Sequence, residues 1–336
     1  SWLDRAVSLA DHLPPAVQTG ARYMTDIYYL WLGDMAAART GVDQFSRLSH
    51  ERQRSSITTI FFHATSATLA WFDSEFDLCR THVEKARELT NRLGIHVWDG
   101  LIISQGVAGE LLAGNLPAAE ALLREENAVT ERLGGIHRAH YLHLFAWFKL
   151  LRGDFQEALE HIQLSTELIV TAGGSMFGDG MNGVIMAHAF RELGQHDRAT
   201  QCIARIMQIG DQMNSDGIRF GAWVLTAQLT YDRNDEPSGL AALKKAFAIG
   251  EARGLMQYPG RQPDIMASLC AKALEAKIHV PFVQRMIKKH RFVPPPQARL
   301  VATWPWRVKI RTFGKLTVEV DGKPLEKHRK KLEKGG

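Results

Sequence analysis

Cysteine is scarce in this chain. Cys79, Cys202 and Cys270 are the three in 336 residues, and they lie far apart. That argues against a disulfide framework and leaves small buried hydrophobes in a reducing compartment as their expected role. Long apolar runs are missing too. No stretch reaches the roughly eighteen uninterrupted apolar residues that a membrane span needs. The most apolar segment, Tyr141 to Leu151, carries His143 and Lys149 and reads as a buried helix. The opening Ser1-Trp2-Leu3-Asp4-Arg5 has no signal-peptide core. Cytoplasm is therefore the expected location, with no membrane partner.

Signatures of catalysis are also lacking. There is no Gly-x-Ser-x-Gly elbow, no cysteine in a nucleophile motif and no framed pair of carboxylates. Glu125-Glu126 reads as an acidic pair on a helix surface. His137, His140 and His143 recur every three residues and could turn two imidazoles to one side. No Cys or carboxylate completes a ligand set, so no metal is expected. His63, His161 and His188 stand singly on helices. Gly-x-x-x-x-Gly-Lys-[Ser/Thr] is absent: Gly314-Lys315 lacks the upstream glycine and is followed by Leu316. No enzyme activity and no cofactor are expected in this chain.

What the chain does have is a repeat. Short turns begin at Gly33, Ser74, Gly114, Gly153, Gly194 and Asn234, in steps of 41, 40, 39, 41 and 40 residues. Five positions after each stands a small residue: Ala38, Cys79, Ala119, Ala158, Ala199 and Gly239. Nine positions after stands an aliphatic one: Val42, Val83, Leu123, Ile162, Ile203 and Leu243. Gly94, Gly134, Gly173, Asn214 and Gly254 follow at the twentieth position from the second copy on. Each copy thus predicts two antiparallel helices. The small residue lets them approach, the aliphatic one falls on the same face, and Gly or Asn supplies a left-handed cap. Apolar residues at three- and four-residue spacing precede each turn. The first copy has Gln53 in place of its capping glycine, as terminal repeats often do. The predicted fold is all-α, a superhelical helix-turn-helix array of TPR-like type with a period near forty.

Charge divides the chain. Residues 281–336 carry fifteen Lys or Arg and four Asp or Glu, a net of +11, which leaves −6 for the rest. Ile265 to Ala276 and Phe282 to His290 read as a last helix pair. Pro294-Pro295-Pro296 and Trp304-Pro305-Trp306 follow as a stiff linker. Then Val308, Ile310 and Thr312 alternate with Lys309 and Arg311, and Leu316, Val318 and Val320 alternate with Thr317 and Glu319. These predict two strands, with Asp321-Gly322 as a turn directly after them. The organisation is a repeat domain over 1–292, a Pro/Trp linker over 293–306, and the start of a further domain over 307–336. One or two strands rarely stand alone, so poor order is expected there.

The junction carries a family resemblance. "LCAKALEAKIHVPFVQRMIKKHRFVPP", Trp304-Pro305-Trp306 and "RVKIRTFGKLTVEVDGKPL" resemble a junction in large bacterial transcriptional regulators of the MalT-like kind. Those join an ATP-binding module, a superhelical TPR-like array and a DNA-binding domain. In the branch resembled here, the bacterial transcriptional activator (SARP-type) proteins, the last domain is an OmpR-like winged helix. The resemblance implies an ATP-binding module upstream, DNA as a partner through the complete C-terminal domain, and a sensor or coupling role for the array. The recognition helix lies outside this sequence, so no base-reading residues are carried over. A stand-alone scaffold docking a partner protein is the rival reading, but it has no use for the Trp-Pro-Trp and the +11 tail.

Two sets of site residues follow as expectations. Lys327, Arg329, Lys330 and Lys331 could neutralise DNA phosphates without reading sequence. Position twenty-four after each turn collects Ile57, Trp98, Arg138, Phe177, Ile218 and Tyr258, with Tyr141 one helical turn beyond Arg138. The first helices of such arrays usually line the concave side. Trp98, Arg138, Tyr141 and Phe177 are therefore the expected groove for a small-molecule effector (a sugar or nucleotide-like ligand) or a peptide of a protein partner. Packing between copies is the plainer role for the same residues.

Overall fold

The computed structural model describes residues 5, 8–9, 15–51, 56–133, 135–296, 298, 301–313, 316–320 and 323–325. Its helices come in the predicted pairs. They are α1 (Pro15–Leu32) with α2 (Met35–Glu51), α3 (Ser56–Phe72) with α4 (Phe76–Leu93), and α5 (Asp99–Ala113) with α6 (Leu116–Leu133). Next are α7 (Gly135–Arg152) with α8 (Phe155–Thr171), α9 (Met176–Glu192) with α10 (His196–Met213), and α11 (Asp216–Asp232) with α12 (Glu236–Arg253). A shorter pair, α13 (Pro263–Glu275) and α14 (Val280–His290), closes the array. Among the described residues no helix is long and apolar enough to cross a membrane.

The repeated positions do what their chemistry suggests. All six turn starts have positive φ, between 59° and 85°. Glycine adopts this conformation freely; Ser74 (60°) and Asn234 (59°) hold it against the usual preference. Ala38, Ala119 and Ala158 are wholly buried where the paired helices meet, and Cys79 and Ala199 nearly so. The aliphatic set is buried in every copy. Gly94, Asn214 and Gly254 cap α4, α10 and α12 in the left-handed conformation. Gln53 and Gly134 lie outside the described residues. Ser74→Gly is expected to raise stability by about 1 kcal/mol. It relieves the positive φ and removes a buried hydroxyl that has no hydrogen-bond partner among the described residues. A chemical denaturation midpoint checks this, and an unchanged or lower midpoint contradicts it.

One surface expectation is corrected. Glu126 lies not on the surface but at the α6 interface, 1% exposed. Its neighbour Glu125 does face out and pairs with Arg87 at 2.6 Å. Burial lifts the Glu126 carboxyl to about 8, so it is protonated at neutral pH.

The superhelix closes on itself. Gly33, in the first turn, packs against the backbone of Gly217 at the start of α11. Ser215 caps α11 by accepting from the Ile218 N–H, and its own hydroxyl donates to the Trp31 carbonyl at 2.5 Å. The Trp31 and Phe177 rings stack 5.0 Å apart, joining α1 to α9. Arg253 reaches Asp216 at 2.6 Å and Asp34 at 4.0 Å across the same seam.

After α12 the chain turns inward. Residues 255–262, irregular and largely buried, pass through the interior of the superhelix. Gln257 donates from Nε2 to the Trp71 carbonyl at the end of α3. The Tyr258 hydroxyl lies 3.3 Å from His188 Nε2 on α9. Gly260 (φ 86°) leaves no room for a side chain beside Ile185. Arg261, 3% exposed, donates to the Leu112 carbonyl at 2.9 Å, at the negative end of the α5 dipole. His290 Nε2, at the end of α14, donates to the Met256 carbonyl at 3.0 Å.

Beyond α14 Trp304 is buried against the array. Strands β1 (Val308–Arg311), β2 (Thr317–Val320) and β3 (Lys323–Pro324) form an antiparallel sheet in that order, with Val308 opposite Val320 and Arg311 opposite Thr317. Two of the three match the strands expected from the sequence. A third strand completes the pairing, and Leu325 N–H donates to the Val318 carbonyl at 2.7 Å. Residues 326–336 lie outside the described part.

Candidate functional site: a chamber inside the superhelix

The inner ends of α1, α3, α5, α7 and α9 line a partly open chamber of about 430 Å³, and Pro259 of the threaded segment forms part of its wall. It exists because the first helix of each copy presents a second apolar face. One face packs on its own partner helix, and the other looks toward the superhelix axis. Aromatic side chains dominate: Tyr23, Trp31, Trp71, Phe72, Trp147 and Phe177. No Asp, Glu, Lys or Arg side chain is among the residues that line it.

Its polar groups are mostly committed to one another. Gln105 Oε1 accepts from Thr68 Oγ1 at 2.9 Å and from the Trp71 indole at 2.8 Å. Its Nε2 donates to Ser104 Oγ at 3.2 Å. On the opposite wall the Ser165 and Thr166 hydroxyls donate to the carbonyls of Ala139 and Ile162. Both therefore accept from Asn182 Nδ2, at 3.0 and 3.1 Å. That orients Asn182 Oδ1 toward His143 Nδ1, 2.8 Å away. His143 must then carry its proton on Nδ1, leaving Nε2 an acceptor. Burial lowers its pKa to about 4, against a smaller upward pull from Asn182. His140, stacked on His143 with centroids 6.4 Å apart, is also lowered to about 4 by burial and then by its neighbours His143 and His137. His140 is exposed to solvent, which screens it, so its shift counts for less than that of buried His143. Both imidazoles are neutral at pH 7.

The sequence-derived groove residues do not share one surface. Phe177 lines the chamber at its seam with Trp31. Trp98 precedes α5 and packs on Phe61, with ring centroids 4.8 Å apart. Arg138 donates to Asn127 Oδ1 at 2.6 Å and lies over the Tyr141 ring at 4.6 Å. Tyr141 is buried, Ile218 is wholly buried, and Tyr258 sits in the threaded segment. Lys327, Arg329, Lys330 and Lys331 lie outside the described residues. Among the described residues no three His, Cys, Asp or Glu side chains gather as a metal site.

The chamber residues that sequence reasoning missed had one signal, polar side chains inside apolar first helices. Thr68, Gln105 and Asn182 stand 6, 9 and 12 residues before their turns, so no single offset collects them, whereas the row His137, His140 and His143, visible in the sequence, does line the chamber.

No family model matches the chain, and no curated protein matches it. Among solved structures it is similar to a Rap protein determined in complex with Competence and Sporulation Factor. The identity is 11% and the TM-score 0.56, over 84% of this chain and 78% of that one. RapI in its apo form matches at 9% identity and a TM-score of 0.47, over 82% and 76%. The likeness to the first is one of fold: the chain is a TPR-like superhelical repeat array.

Proposed function

We propose that this chain is the sensor region of a bacterial transcriptional regulator, in which an effector held in the chamber biases a C-terminal DNA-binding domain. The observation that carries the reading is the threaded segment. Pro259 touches the chamber, while Met256 and Arg261 of the same segment meet His290 and the Phe292 ring, the latter at 5.3 Å. Those residues end α14 and lead to the buried Trp304 and the strands. A change in chamber occupancy that moves residues 255–262 would therefore reach the junction by direct packing, and coupling of the two sites follows by linkage. The MalT-like and SARP-type resemblance of the junction supplies the output: residues 307–336 begin an OmpR-like winged helix, and an ATP-binding module precedes the array. A Rap protein of similar fold has been solved in complex with Competence and Sporulation Factor, which is in keeping with a binding role for such an array.

The test is DNA occupancy of the intact gene product in its source cell, for the native protein and for Ala108→Phe, which fills the chamber. Discrete bound sites whose occupancy changes in the variant are expected. Absence of any discrete site removes the regulator reading and leaves a partner-docking scaffold.

A further inference from the structure

We infer that the chamber selects an uncharged, planar and largely apolar small molecule, and rejects carboxylates, phosphates and ammonium groups. This rests on the reading of the chamber as the effector site and adds the ligand's chemistry. The argument is one of missing counter-charge. Elsewhere in the array many charged groups are paired: Arg39 with Asp73, Arg80 with Glu110, Arg219 with Asp216. In the chamber no carboxylate, lysine or arginine is available; three imidazoles face it, His137, His140 and His143, and burial favours the neutral form of the last two. An ion entering would exchange its hydration for apolar walls with nothing to balance its charge, which carries a heavy penalty.

The walls also say what is welcome. The Trp31–Phe177 stack, nearly parallel at 9°, and the Trp71–Phe72 pair, with centroids 4.0 Å apart, contribute flat apolar rings to the walls. The volume suits one compact drug-sized molecule. Hydrogen bonding is limited, because Gln105 and Asn182 are already occupied by their neighbours. What remains is the histidine row, His137, His140 and His143, with His143 Nε2 as an acceptor; the Trp147 indole N–H, 1% exposed, is not open to the cavity. A short row of imidazoles that offers donors and acceptors on one wall suits a single carboxamide-like group on an aromatic skeleton. A peptide or an oligosaccharide, with many polar groups to satisfy, does not suit these walls.

The experiment titrates naphthamide, naphthoate and naphthylmethylamine, one skeleton in three charge states, into the native chain at neutral pH. Isotope-labelled methionine methyls report binding through Met181, which lines the chamber. The expected result is that naphthamide shifts the Met181 methyl and binds at least tenfold tighter than either ion. Ala108→Phe should abolish that shift; should the variant fail to fold, the Met181 signal in the native chain still decides. Equal or tighter binding of an ion at Met181 overturns the inference, and so does a Met181 methyl that none of the three compounds moves. Either outcome is separate from the sensor reading, which is decided by DNA occupancy.

Discussion

Gly33→Ala is expected to destabilise the protein far more than the same change at Gly114, although both glycines open equivalent turns. Their backbones match, with φ of 78° and 75°, so the conformational cost of a side chain is common to both, about 1–2 kcal/mol. Their surroundings do not match. A Cβ at Gly114 meets nothing within 4 Å. At Gly33 it would lie 2.5 Å from the backbone nitrogen of Gly217 and 3.1 Å from Leu255 Cδ1. Backbone cannot rotate away as a side-chain tip can, so the first turn must leave α11. The Ser215 hydroxyl bond to the Trp31 carbonyl and the Arg253 contacts lie on the same seam and would be strained with it. A total loss of about 3–5 kcal/mol is expected for Gly33→Ala. Denaturation of both variants, with Trp31 fluorescence reporting the seam, checks the difference. Equal losses would show that the closure contributes nothing to stability.

The second large effect is acid lability. Six histidines have depressed pKa values: His63, His82, His140 and His143 fall to about 4, and His188 and His290 to about 3. Burial is the leading cause in each, and nearby positive charge adds to it for most. His63 and His82 face one another with Nδ1 atoms 2.9 Å apart, where two protonated rings would repel. A base whose folded pKa lies below its unfolded value of about 6.5 is neutral in the fold, while the unfolded chain takes up the proton. The histidine contribution is therefore complete above pH 6.5 and is lost as pH falls toward 4. Two buried acids act the other way. Burial raises Asp26 to about 7, against an opposing pull from Arg22, and raises Glu126 to about 8. They bind protons in the fold and favour it as pH falls from 8. Six bases outweigh two acids even after discounting the accessible His140 for solvent screening. The melting temperature is expected to fall by roughly ten degrees between pH 6.5 and 5. A flat profile over that range would mean that the imidazoles are not held neutral.

How far the site was legible follows from which interactions are local. The turn, the small residue and the cap recur at fixed offsets because positive φ, close helix approach and helix termination are decided within a few residues. Phe177 emerged from that register and does line the chamber. Trp98 and Arg138 emerged from it equally and pack on Phe61 and Asn127 instead. Register identifies equivalent positions along a helix, not which of them face the axis after several copies of superhelical twist.

The sequence by itself therefore determined the repeat, its helix pairs and the strand-forming junction, since each is written in residue chemistry at short range. Three features were decided only by the tertiary structure. The superhelix closes where Gly33 meets Gly217, and residues 255–262 enter its interior. The polar side chains of α3, α5, α7 and α9 converge on one uncharged chamber. Each depends on the rotation accumulated over several copies, a sum of small angles set by packing at every interface. That sum has no local signature in the chain.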